Sequence, residues 1–210
     1  MCLISPQTLN IALSDCLAYL RLSEPLAEQQ RRNPGIHIRL RERNLAQLHH
    51  GLSTGEFNVG LCQSPRAPVG IEASPLWREP LVLAASENHP LMADQAASLN
   101  PLPPFTWVTL DREAYAGYRD QVDPLLRSGG NARPSSIITA QSFDLMMTMV
   151  AAGYGVCLAP MSHVRRYRAF GIAWRQIEDP PMTLTTYLWH RKDAGNDMLN
   201  KLVDALLATS

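Results

Sequence analysis

TLNIALSDCLAYLRLSEPLAEQQRRNPGIHIRLRERNLAQLHHGLSTGEFNVGLC, running from Thr8 to Cys62, is the stretch that sets the fold. Thr8 to Leu13 is an apolar run of strand length. Leu17, Leu20, Leu26 and Ala27 then recur at helical spacing up to Arg32, and Asn33-Pro34-Gly35 stops the helix. Pro25 lies inside that pattern, which predicts a kink or a late start. Ile36 to Leu40 alternates as a strand. Asn44 precedes Leu45, Leu48 and Leu52, a helix that Gly55 ends, and Gln47 stands where a capping box needs it. Phe57 to Cys62 closes the stretch as a buried strand. The order is β-α-β-α-β, which predicts parallel strands joined by right-handed crossovers.

The same alternation continues outward. Leu81 to Ala85, Phe105 to Leu110, Ile137 to Thr139, Val156 to Ala159 and Thr183 to Trp189 read as strands. Glu113 to Arg127 reads as a helix ended by Gly129-Gly130. Phe143, Met146, Met147 and Val150 line the face of another helix, ended by Gly153 and Gly155. Met198 to Leu207 is an amphipathic helix at the end of the chain. The fold class is therefore α/β throughout. The middle section forms its own βαβ set, and the last strand and helix lack partners nearby in sequence. A chain that builds one lobe, then a second, and then returns to the first would account for this.

Composition narrows the function. The chain has 210 residues and is 46% hydrophobic and 18% charged, enough to bury a sizeable core in two small lobes. Nineteen Lys and Arg balance nineteen Asp and Glu, so the formal net charge is zero. Phosphate binding needs a basic surface, so this argues against a nucleic-acid or anionic-membrane binder acting through this chain alone. Cys2, Cys16, Cys62 and Cys157 lie far apart with no C-x-x-C pair, which predicts neither a disulfide framework nor a zinc site and points to a reduced, cytoplasmic setting. No apolar run is long enough to cross a membrane. The first residues carry no positive n-region or long apolar h-region, so no signal peptide is expected.

Five stretches then resemble the effector-binding domain of LysR-type transcriptional regulators. They are NPGIHIRLRE (Asn33 to Glu42), GLSTGEFNVGL (Gly51 to Leu61), PLWREPLVLAASENHPL (Pro75 to Leu91), VAAGYGVCLAP (Val150 to Pro160) and WHRKDAGNDML (Trp189 to Leu199). They stand in family order and at family spacing. The resemblance implies the fold of type-2 periplasmic binding proteins: two Rossmann-like lobes joined by two crossover strands, with a cleft between them. It places regulatory lobe I at residues 1–82 plus 186–210 and lobe II at 83–185, with crossings near Leu81 to Ala85 and Thr183 to Tyr187. It implies a small-molecule effector, self-association as a homodimer or tetramer through lobe helices, and DNA binding only through an N-terminal winged helix-turn-helix that this chain lacks. It implies no enzyme activity, cofactor, metal or membrane partner. A solute-binding protein feeding a transporter uses the same fold and stands as the alternative.

Gly51-Leu52-Ser53-Thr54-Gly55 formally matches the nucleophile elbow G-x-S-x-G. That elbow needs a strand before the serine and a helix after it; here the order is reversed. His49-His50 has no third ligand at a usable spacing, so it reads as a solvated pair. Cys62 and Cys157 read as small buried hydrophobes rather than a redox pair. Asp15, Asp111 and Asp144 beside Ser14 or Ser142 suggest catalysis, but no histidine falls in a matching segment.

Helix starts carry more information. Ligands of parallel α/β lobes sit beyond the carboxyl ends of strands, where helices begin with unpaired N–H groups. That logic selects Ser14, Asp15, Asn44, Asp111 and Ser142 as effector-binding residues, with Gln63, Ser64 and Gln141 expected to fix orientation by hydrogen bonds and Trp107, Phe143 and Pro160 to supply an apolar wall. Donors at several helix starts suit an anion, so a carboxylate-bearing metabolite is expected, with Arg43 and Arg112 able to add positive charge. Asp15 and Asp111 argue the other way, as caps or as partners for an amino group.

Overall fold

A computed structural model of the chain describes residues 7–15, 19–93, 105–128, 136–177, 181–193 and 197–207. Cys2, Cys16, Leu17 and the Gly129-Gly130 stop lie outside the described residues. The chain divides into two units, one of residues 1–77 and 185–210 and the other of residues 78–184. Two strands pass from one unit to the other: β4 (Ile71–Ser86) and β9 (Thr183–Arg191).

In the first unit, β1 (Gln7–Leu13) lies between β2 (Ile36–Glu42) and β3 (Val59–Cys62) and pairs with both in parallel. Helices α1 (Tyr19–Arg32) and α2 (Leu45–Thr54) make the crossovers. Pro25 falls inside α1, which continues through it. The outgoing β9 adds antiparallel to β3, with Leu61 opposite Leu188. α7 (Asp197–Leu207) then packs beside α1, and its Leu199, Leu202 and Leu206 join Leu9, Ile11, Leu22, Leu61 and Leu188 in one core cluster. A second cluster on the other side of the sheet holds Leu48, Leu52, Phe57 and Trp189 around Ala12. Burial of apolar groups on both faces of the sheet is why β1 and β3 read as continuous apolar runs rather than alternating ones.

Gly55 ends α2 in the left-handed region at φ 80°, with its N–H bonded to the Leu52 carbonyl. The G-x-S-x-G match is thus a helix end, and Ser53 lies in the helix body.

The second unit holds β5 (Thr106–Leu110) and β6 (Ser136–Ala140) in parallel, with α4 (Ala116–Ser128) between them in sequence. α3 (Pro90–Ala93) is a single turn that follows β4. α5 (Phe143–Ala151) leads into β7 (Cys157–Pro160), which pairs antiparallel with β4 from Leu81 to Ala84. α6 (Met161–Val164), a 3-10 turn over Arg165–Phe170 and β8 (Ile172–Gln176) follow, and β8 also pairs with β4. Met146, Met147 and Val150 are fully buried in this unit. These side chains are core. The exposed apolar residue of that helix is Leu145.

Candidate functional site

The parallel register brings the first unit's strand ends to one level. Leu13 stands opposite Glu42 on one side and Leu61 on the other. The Ser14 N–H donates to the Leu61 carbonyl at 2.8 Å, and the Arg43 N–H donates to the Leu13 carbonyl at 2.9 Å. Ser14, Asp15, Asn44, Gln63 and Ser64, all selected from sequence, therefore gather at the carboxyl edge of one sheet.

Each has a defined setting. Ser14 is 1% exposed, and among the described residues its Oγ has no hydrogen-bond partner. A hydroxyl left so costs about 1–3 kcal/mol, so the site holds an unmet demand for a polar group. Asp15 takes left-handed backbone at φ 66°, a conformation uncommon outside glycine that asparagine and aspartate tolerate best. Its buried carboxylate accepts the Gln63 N–H at 3.1 Å, tying the end of β1 to the end of β3. Asn44 caps α2 in a full capping box: its side chain accepts the Gln47 N–H at 2.9 Å, and the Gln47 side chain accepts the Asn44 N–H at 3.2 Å. Ser64 is buried; its carbonyl accepts the Trp189 indole N–H at 3.0 Å, and its hydroxyl accepts the Arg66 N–H at 3.2 Å.

The second unit builds a similar edge. The Asp111 N–H donates to the Ala140 carbonyl at 2.8 Å, so Asp111 and Gln141 follow paired strand ends. The Asp111 carboxylate accepts the N–H groups of Glu113 and Ala114 at 2.9 and 3.1 Å, capping the turn before α4. Ser142 caps α5 by accepting the Leu145 N–H at 3.2 Å. Phe143 is buried against the ring of His163, with centroids 4.9 Å apart, and Pro160 is buried at the end of β7. Gln141 is exposed.

The two expected cations are engaged elsewhere. The Arg43 guanidinium donates to the Glu42 carbonyl at 2.8 Å, lies 5.7 Å from the centre of the Phe57 ring and approaches Glu56. Arg112 pairs with Asp120 and Asp123.

Three further buried polar groups, none of them expected as a site residue, lie in the second unit. Glu79 on β4 accepts the Ser162 hydroxyl at 2.6 Å, and the Ser162 oxygen lies 3.4 Å from His163 Nδ1. Thr109 is buried on β5 with no partner for its Oγ1 among the described residues. Glu79 follows Arg78 and His163 follows Ser162, so in sequence they read as ordinary polar positions, and only tertiary packing buries them.

Catalysis finds no support in these contacts. The Ser142 hydroxyl is used as a cap, and Asp144 accepts the Tyr167 hydroxyl. Burial, together with the Asp15 charge, pushes the Cys62 thiol up, and burial alone pushes up that of Cys157, so neither is a nucleophile. No group of His, Cys, Asp and Glu among the described residues is arranged to hold a metal ion.

Residues 5–210 match the family model described as the LysR substrate binding domain. The chain is 30% identical to the HTH-type transcriptional regulator BudR of Raoultella terrigena, over 79% of this chain and 57% of that protein. It spans a little over half the length of the curated relatives it matches. Among solved structures, it is similar to the BenM effector binding domain with its effector benzoate, at TM-score 0.84 and 20% identity, covering 95% of this chain and 90% of that one. It is also similar to the effector binding domain of QuiR in complex with shikimate, at TM-score 0.82 and 18% identity, covering 97% of each.

Proposed function

From the premise that the chain belongs to the LysR substrate binding domain family, we propose that it senses a small carboxylate-bearing metabolite for a LysR-type regulator. The family consists of effector-binding domains of transcriptional regulators and not of enzymes. The observation that carries the proposal is the Ser14 hydroxyl, buried with no partner among the described residues where β1 ends beside the α2 start. The first turn of α2 leaves the N–H groups of Leu45 and Ala46 with no helical acceptor, which suits the acidic end of a ligand. Benzoate and shikimate, the molecules bound to BenM and QuiR, both carry a carboxylate, which supports the same class here. Asp111, Gln141, Ser142, Phe143 and Pro160 are the second unit's proposed contacts.

An effector can switch such a protein only by differential affinity for two arrangements of it. We place that switch in the cytoplasm, in a homodimer or tetramer whose DNA contacts belong to an N-terminal domain outside this chain. The dimer joins α1 of one copy to α5 of the other, with two-fold symmetry making both contacts identical.

A thermal-shift screen of small carboxylic acids, benzoate and shikimate included, followed by calorimetry, tests the site. Ser14→Ala and Ser142→Ala each weaken the best ligand by about 1–3 kcal/mol if each loses one buried hydrogen bond. Unchanged affinity in both variants, with intact melting curves, places the ligand elsewhere.

A further inference from the structure

The 3-10 turn that follows α6 concentrates positive charge. Arg165, Arg166 and Arg168 fall within its six residues, RRYRAF, and all three are exposed. None has an ion-pair partner among the described residues, whereas Arg31, Arg41, Arg112 and Arg119 each meet a carboxylate. Residues three apart eclipse one another in such a turn, which places Arg165 and Arg168 on one stripe and Tyr167 and Phe170 on the next. The two aromatic rings have centroids 6.2 Å apart, and Phe170 is 70% exposed. A stripe of guanidinium groups therefore runs beside a stripe of rings.

Folding alone does not account for this arrangement. Like charges one turn apart repel, and an exposed phenyl ring forgoes the burial that drives folding. Natural proteins keep such local conflicts mainly at functional sites. The platform beneath is fixed. Val164 is fully buried at its start, the Tyr167 hydroxyl donates to Asp144 on α5, and the Tyr167 ring centroid lies 5.8 Å from that of Phe143. At its end Gly171 takes left-handed backbone at φ 78°, and the Gly171 carbonyl accepts the Glu87 N–H at 2.8 Å.

We propose that the turn over Arg165–Phe170 is a docking surface for an acidic protein segment that carries an apolar side chain. The segment's carboxylates go to Arg165, Arg166 and Arg168, because the planar guanidinium fork matches a carboxylate with two parallel hydrogen bonds. Its apolar side chain lies against Tyr167 and Phe170. Arginine and aromatic residues are the types enriched at protein–protein contacts and at their hot spots. A nucleic-acid backbone fits less well. Six residues at the 3-10 rise extend only about 12 Å, and three arginines fall short of the roughly six to ten phosphate contacts that give strong binding. The Asp144 and Glu87 carboxylates flank the turn and repel a continuous line of phosphates. The inference does not rest on the effector site proposed above, since none of the three arginines belongs to it.

Peptide selection provides the test. A random library of peptides of about twelve residues, displayed on phage, is selected on the 210-residue chain, and the recovered peptides are synthesised and measured by fluorescence anisotropy. They are rich in aspartate and glutamate around a leucine or phenylalanine. Arg165→Ser, Arg166→Ser and Arg168→Ser together weaken their binding at least tenfold, and Phe170→Ser alone weakens it at least threefold. Arg39→Ser, Arg78→Ser and Arg127→Ser together remove the same charge from exposed positions elsewhere and leave affinity unchanged within about twofold. Recovered peptides without acidic enrichment overturn the proposal, and so does equal affinity in the two triple variants. The wild-type selection needs no variant, so a misfolded one does not rescue the idea. A DNA duplex of about twenty base pairs that binds as tightly as the peptides, through the same three arginines, overturns it in favour of nucleic acid. Sedimentation velocity addresses a second copy as the occupant: the Arg165, Arg166 and Arg168 variant keeps the wild-type association state, and a loss of association overturns the proposal.

Discussion

A Cβ added to Gly155 would lie 2.3 Å from the Thr106 carbonyl oxygen, which is backbone and already accepts the Val156 N–H at 2.9 Å. Neither atom can retreat without breaking the contact that seats β7 beside β5. Gly155→Ala is therefore expected to cost about 1–3 kcal/mol, the usual range for overpacking. For a chain of this length that lowers the melting temperature by about 2–4 °C per kcal/mol. Gly35 has nothing within 4 Å of its added Cβ, so Gly35→Ala is the matched control and leaves the melt unchanged. Circular dichroism melts of the two variants decide it; equal curves mean β5 and β7 are not seated as described. The buried thiols make a second prediction at this scale. Both have pKa values raised by burial, so the native protein at pH 8 holds almost no Cys62 or Cys157 thiolate. Iodoacetamide should label these two cysteines only after denaturation, as read by peptide mass spectrometry. Rapid native labelling of either would contradict its burial.

Among the elements, α2 shows what sequence carries well. Asn44, Gln47 and Gly55 are local signals, each acting within one turn of helix, and the capping box and left-handed stop appear as read. Asn44→Ala removes the side-chain half of that box and is expected to lower stability by about 1 kcal/mol, measured by urea denaturation with an unchanged m-value. No loss would mean the first turn is held by packing alone. The parallel β1 and β3 are legible for a different reason: burial on both faces leaves largely apolar runs, while β2 is legible from the alternation of Ile36, Ile38 and Leu40 with polar residues. The strand ends then follow from the register, which is why the sequence alone groups Ser14, Asn44 and Gln63. β4 was seen only from Leu81, because Pro75, Arg78, Glu79 and Pro80 interrupt its apolar pattern, yet it runs from Ile71. Long-range pairing sets that start, and nothing within a short window reports it. β8 was missed similarly: Ile172–Gln176 is short, half-buried and held by its pairing with β4. The engagement of Arg43 with Phe57 and Glu56 was illegible too, since it depends on how a strand end meets a helix–strand connection.

At the scale of the whole molecule, the proposed self-association needs an apolar surface on each partner. On the first unit, Leu13, Leu22, Leu26 and Leu40 line an apolar groove of about 410 Å³ between α1 and β2, bordered by Ser23, Arg41 and Glu42. β2 pairs with β1 and stands at the edge of its sheet, and Leu40 on it is 44% exposed. On the second unit, the buried Met146, Met147 and Val150 leave Leu145, 53% exposed, as the apolar residue α5 offers outward. The proposed two-fold pairing of α1 with α5 thus depends on Leu40 and Leu145 rather than on the methionines. Placing a charge in a desolvated contact is costly, whereas the same change on a free surface is nearly neutral. Leu145→Asp and Leu40→Asp are each expected to shift the chain from dimer to monomer in sedimentation velocity at tens of micromolar, with little change in the monomer's far-ultraviolet circular dichroism. Met147→Ala behaves oppositely. It removes core volume, lowers stability by about 2–5 kcal/mol and leaves association of the folded fraction intact. If the wild-type chain sediments as a monomer, or the Leu145→Asp variant remains a dimer, the α1–α5 pairing is wrong for this protein.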